Sequence, residues 1–173
     1  MERAPDPKSE PHVLIAWHSR TGASEAMALA AIEGADRAEG HDPARLLPAS
    51  QVTPADILAA SAYIFVCPEN LASISGMMKE MFDRCYYDVL GRIEGRAFCT
   101  IIAAGSDGEG AQAQIDRIAK GWRLKRVADP LIINMSAQTK EDILAPKVVP
   151  EEDLAQCRDL GHAMAEGVAL GMF

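Results

Sequence analysis

Two stretches of this chain are apolar almost without interruption: Ala62-Tyr63-Ile64-Phe65-Val66-Cys67 and Ala97-Phe98-Cys99-Thr100-Ile101-Ile102-Ala103-Ala104. A strand with one wet face alternates apolar and polar residues, so an unbroken run predicts a strand covered on both faces, as in a parallel sheet between helical layers. Val13-Leu14-Ile15-Ala16-Trp17 predicts another such strand, Ala44 to Leu47 a weaker one, and Val127 to Met135 the last. Helical segments separate them: Ser24 to Ala38, a short helix capped by Thr53 with Pro54 at its first position, Gly76 to Arg84, Ala111 to Gly121, and Glu151 to Leu170. Met78, Met81, Phe82 and Cys85 fall on one side of the third helix and are read as core. Pro68 is expected to end its strand, and Ser136 to Pro150 to be a plain connection in which Pro146 and Pro150 discourage helix.

Strand alternating with helix predicts an α/β fold: a doubly wound, five-stranded parallel sheet in a three-layer α/β/α arrangement, with right-handed crossovers. Ligands of such sheets bind beyond the carboxyl ends of the strands, so the loops after Trp17, Cys67 and Ala104 are expected to converge on one site. These are the loops richest in Gly, Ser and Thr.

At 173 residues the chain fits one domain, read as residues 12–173 behind a flexible tail, 1–11, which lacks the apolar core of a signal peptide. Seventeen basic against 25 acidic residues give a net charge of −8, which argues against nucleic acid or an anionic membrane as the partner and for small ligands. No run approaches the about 18 apolar residues of a membrane span, so the expected location is the cytoplasm. The four cysteines, at 67, 85, 99 and 157, form no C-x-x-C pair and read as buried reduced thiols rather than metal ligands.

The loop after the first strand, Ser19-Arg20-Thr21-Gly22-Ala23-Ser24, opens a helix. Three hydroxyls can donate to phosphate oxygens, and Gly22 lets the backbone turn so that successive amides point inward, an anion site that needs no lysine. Ser19 or Ser24 could also simply cap the helix. Asp107 and Glu109 sit in a glycine loop and read as ligand contacts or exposed groups rather than an acid/base pair. His12, His41 and His162 have no partners at catalytic spacing and read as solvated or capping side chains. Neither a Gly-x-Ser-x-Gly elbow nor a Gly-Lys-Ser/Thr loop occurs, which removes the usual hydrolase and nucleoside triphosphatase readings.

On these residues the chain resembles the flavodoxin-like superfamily, more closely its NAD(P)H-dependent FMN reductase and quinone reductase branch. Residues 19–24 look like the family's Ser/Thr-x-Thr-Gly-x-Thr phosphate loop, 68–79 like its second loop, and 104–110 like its Gly-rich third loop. The resemblance implies that Ser19, Thr21, Gly22, Ala23 and Ser24 bind the FMN phosphate, with Arg20 and His18 adding charge or a donor. Pro68, Glu69, Asn70, Leu71, Ala72 and Ser73 would line the ring, and Gly105, Ser106, Asp107 and Gly108 would meet its polar edge. Backbone amides there would stabilise negative charge on the reduced ring, and no side chain need act as acid or base.

Two departures stand out. Ala23 replaces a frequent asparagine, and Glu69, Asn70 and Leu71 stand where many relatives carry aromatics, with Glu69 expected to repel the reduced ring. Trp17 and Trp122 are read as packing residues rather than substitutes. The implied function is transfer of electrons from NADH or NADPH through FMN to a quinone, a flavin or a similar small acceptor, in a homo-oligomer. A flavodoxin-type carrier with a protein partner and a flavin-free binding module are the alternatives.

Overall fold

The computed structural model describes residues 11–173; most of the expected tail therefore lies outside the described residues. Strand β1 (Val13–Trp17) is followed by α1 (Ala23–Ala35), β2 (Arg45–Pro48) and α2 (Pro54–Ala59). Then come β3 (Ala62–Asn70), β4 (Ser73–Ile74), α3 (Gly76–Val89), β5 (Ala97–Ala104) and α4 (Glu109–Gly121). The chain closes with β6 (Lys125–Arg126), β7 (Leu131–Asn134), α5 (Lys140–Leu144) and α6 (Glu151–Ala169).

The sheet runs β2-β1-β3-β5-β6 with every neighbour parallel, and β7 pairs in parallel with β5 beyond β6. The unbroken apolar runs are buried as their pattern demands. Val13, Ile15, Ala62, Ile64, Val66, Cys99 and Ile101 face one core with α1 and α6. Leu14, Tyr63, Phe65, Phe98 and Ile102 face the other with α2, α3 and α4. Alternate residues of the same strand thus enter opposite cores, which is why polar residues are nearly absent from them.

Glycine sets the spacing of α1 and α6. A Cβ on Gly161 would lie 1.9 Å from the Ala31 carbonyl oxygen, and one on Gly34 1.9 Å from that of Arg158. In the second core Phe82 meets Phe65 edge-on at 5.1 Å and Trp122 at 5.3 Å, and Trp122 donates its indole N–H to the Tyr86 carbonyl (3.1 Å). Trp122 is fully buried there, while Trp17 is half-buried against the first core, so both pack as expected.

The structure departs from the sequence expectations at definable points. The last strand, expected over Val127 to Met135, is confined to Leu131–Asn134, since Asp129-Pro130 precedes it and proline lacks the ladder N–H and restricts the residue before it; a separate two-residue strand, β6, comes ahead of the expected start. Strand β3 continues through Pro68, which aligns with Ala103 of β5, to Asn70. Helix α1 ends at Ala35, where the His41 ring reaches the terminal carbonyl (3.3 Å), and α3 extends to the buried Val89. The connection 136–150 contains helix α5, capped by Thr139, whose hydroxyl accepts from Asp142 N–H (3.1 Å). His12 is buried rather than solvated. Among the described residues no helix is long and apolar enough to cross a membrane.

Candidate functional site

At the carboxyl ends of β1, β3, β5 and β7 the loops enclose a cleft of about 540 Å³, within the size range of small-ligand sites. The first loop ends in Gly22, the N-cap of α1, at φ +96°, a left-handed conformation that glycine adopts without steric penalty. Ser19 Oγ accepts the Gly22 N–H at 3.0 Å, so one lone pair holds the turn while the hydroxyl proton is left to donate. Ser24 Oγ is buried at the start of α1, lines the cleft and makes no hydrogen bond within the protein. A buried hydroxyl without a partner is costly unless a ligand supplies one, and it lies beside the unsatisfied amides of a helix N-terminus.

The second loop is a hairpin rather than an open loop. Glu69 pairs with Ile74 and Asn70 with Ser73, and both tip residues, Leu71 (φ 52°) and Ala72 (φ 58°), are left-handed. A type I′ turn needs that geometry, and non-glycine residues adopt it at a cost of about 1–2 kcal/mol each. The hairpin's seat on α4 offsets this. Gly108 N–H donates to Glu69 Oε1 (2.9 Å) and Ala111 N–H to Oε2 (3.1 Å). Gln114 Oε1 accepts from Ser73 Oγ (2.7 Å) and Ile74 N–H (2.9 Å). Gly110 completes the seat, since a Cβ there would lie 2.3 Å from the Ala72 carbonyl oxygen. Glu69 is therefore the anionic cap of α4, and its charge, expected to oppose electrons on a bound ring, is answered by two amides and the helix dipole.

The third loop is braced from beyond the sheet. Met135 N–H donates to Ala104 O (2.7 Å), Ala137 N–H to Gly105 O (2.9 Å) and Asn134 Nδ2 to Ser106 O (2.9 Å). The segment then forms α5, whose Ile143 and Leu144 line the cleft, and returns to the first loop, where Lys147 N–H donates to Thr21 O (2.7 Å). The Lys147 ammonium closes the C-terminal end of α5 by donating to the carbonyls of Ile143 (3.1 Å), Ala145 (2.7 Å) and Asp142.

Of the residues expected at the site, Ser19, Arg20, Thr21, Ala23, Ser24, Pro68, Glu69, Asn70, Leu71, Ala72, Gly105 and Ser106 line this one cleft. Gly22, Ser73, Asp107 and Gly108 do not: Gly22 and Ser73 hold turns, Gly108 caps α4, and Asp107 is exposed. The fourth wall, Met135, Ala137, Ile143, Leu144 and Lys147, was missed. Its local signal was Thr139-x-x-Asp142, a capping pattern ahead of Pro146. His18 does not line the cleft; its Nδ1 lies 2.8 Å from Ser75 Oγ, and burial, reinforced by the Arg20 charge, lowers its pKa and favours the neutral ring. Burial pushes the Cys67 thiol up to about 12, so it offers no thiolate.

A parallel sheet carrying a hydroxyl-rich helix entry, a hairpin and a glycine loop at its carboxyl edge defines a flavodoxin-like protein. The fold is shared with an archaeal flavodoxin (TM-score 0.70, 16% identity, 91% of this chain and 98% of the other). It is shared too with a WrbA-like flavodoxin from Agrobacterium tumefaciens (TM-score 0.61, 18% identity, 92% and 98%). In sequence the chain is similar to a flavodoxin of Aquifex aeolicus strain VF5, 29% identical over 163 residues, 91% of this chain and 87% of the relative. The chain belongs to the NADPH-dependent FMN reductase family, whose model matches residues 23–129.

Proposed function

We propose that the protein binds FMN in this cleft and uses it to pass electrons from NADH or NADPH to a quinone, a flavin or another small acceptor. The observation that carries the reading is the buried, unpartnered Ser24 hydroxyl beside the α1 amides, in a cleft that residues of the hairpin and of α5 also line. Ser19, Thr21 and Ser24 would donate to the phosphate, and Arg20 adds a positive charge at the same loop. Backbone groups of Gly105 and Ser106, held in place by Ala137 and Asn134, would meet the polar edge of the ring. FMN, when bound, supplies the hydride-accepting and electron-donating chemistry itself. The protein would orient the ring and screen it from water, and no side chain need act as acid or base: Glu69 is engaged by α4 and His18 lies beside Ser75. A cytoplasmic homo-oligomer is part of the same reading.

A flavodoxin-type carrier is the second reading, favoured by the net charge of −8 and by the Aquifex relative's being a flavodoxin. Visible absorption spectra with and without added FMN, followed by anaerobic NADH, NADPH and then dithionite, separate the cases. A bound flavin band that bleaches with a nicotinamide supports the reductase. Bleaching by dithionite alone supports the carrier, and failure to bind FMN overturns both and leaves the flavin-free module.

A further inference from the structure

Among the described residues no aromatic lines the cleft, yet two aliphatic walls belong to its lining. One is the hairpin tip, where Leu71 is wholly exposed on a backbone held in a strained left-handed turn. That hairpin is seated on α4, which packs into the core with Tyr63 and Phe65. The other wall is α5, whose Ile143 and Leu144 are 50% and 64% exposed while lining the same cleft. Its segment runs from β7 into α6, which packs into the opposite core with Val13 and Ile15. The two walls are therefore tied to helices on opposite faces of the sheet. Both are pinned at their bases, the hairpin by Glu69 and Gln114 and the α5 segment by Lys147 on Thr21. Exposed Leu and Ile side chains fixed around a concave site carry apolar surface that a flat ligand would remove from water.

We infer that Leu71 on one side and Ile143 with Leu144 on the other form an aliphatic clamp for the isoalloxazine ring. This rests on the FMN reading of the cleft and extends it to α5, which lies beyond the family-matched residues. The clamp holds the ring by dispersion and water exclusion without an aromatic partner, so the bound flavin keeps its fluorescence.

The test titrates the full chain and an Ile143→Ser/Leu144→Ser variant with FMN and with riboflavin, which lacks the phosphate. Equal losses of about tenfold for both ligands, about 1.4 kcal/mol, are expected, because the clamp touches only what the two share. Unchanged affinities overturn the clamp, and so does a loss confined to FMN, which would place α5 at the phosphate. A second variant, Ile143→Trp, introduces an electron-rich ring against the flavin and is expected to extinguish its emission; emission equal to the parent protein's overturns the clamp even if the serine variant fails to fold. Failure of the parent protein to bind either flavin overturns the FMN reading itself and needs no variant to be seen.

Discussion

Replacing Glu69 by alanine removes one of the two anchors that tie the hairpin to α4, and the size of the effect follows from its partners. The carboxylate accepts from Gly108 N–H at 2.9 Å and Ala111 N–H at 3.1 Å. Hydrogen bonds to a charged group contribute about 1.5 kcal/mol or more each, and an anion in the first turn of a helix adds about 0.3–1 kcal/mol through the dipole. Water reaches the rim of the cleft and rehydrates part of what is exposed, so a net loss of about 2 kcal/mol is expected. For a chain of this size that lowers the melting temperature by about 4–8 °C, measured by far-ultraviolet circular dichroism. Glu69→Gln keeps one acceptor without the charge and is expected to lose about half as much. A Glu69→Ala protein that melts within about 1 °C of the parent would refute the cap. A Glu69→Gln protein of parental stability but altered flavin potential would instead return Glu69 to an electrostatic role on the ring.

Three other outcomes follow from the same geometry. Ser24→Ala is expected to weaken FMN about tenfold, the worth of one donor to a charged ligand, and to leave riboflavin unchanged in a fluorescence titration. Gly161→Ala sets a methyl group against the Ala31 carbonyl, where the 1.9 Å approach cannot be met without parting α1 from α6, and is expected to destabilise by about 1–3 kcal/mol in urea unfolding. Burial raises the Cys67 thiol from 9.0 to about 12 and raises Cys99 as well, so the unfolded chain loses these protons first as pH climbs. The contribution these two protonated thiols make to stability is therefore full below pH 9 and falls as pH rises from 9 toward 12, and a urea midpoint that stays flat across that window would contradict it.

The sequence alone determined the architecture and the chemistry of the first loop, because both are written in local terms. An unbroken apolar run such as Ala97–Ala104 can be satisfied only by burial on both faces, and Ser19 to Ser24 combines hydroxyls, a glycine and a helix start within six residues. The loops after β1, β3 and β5 converge because strand order brings carboxyl ends together, so twelve of the expected residues do line one cleft. Tertiary structure alone decided the rest. Pro68 stays in a strand because its register neighbour is Ala103, and Glu69 is a cap because α4, some forty positions away, begins against it. Ile143 and Leu144 reach the cleft because Lys147 bonds Thr21, a contact spanning most of the chain. Such pairings depend on which elements fold side by side, and no local pattern of residues encodes that distance.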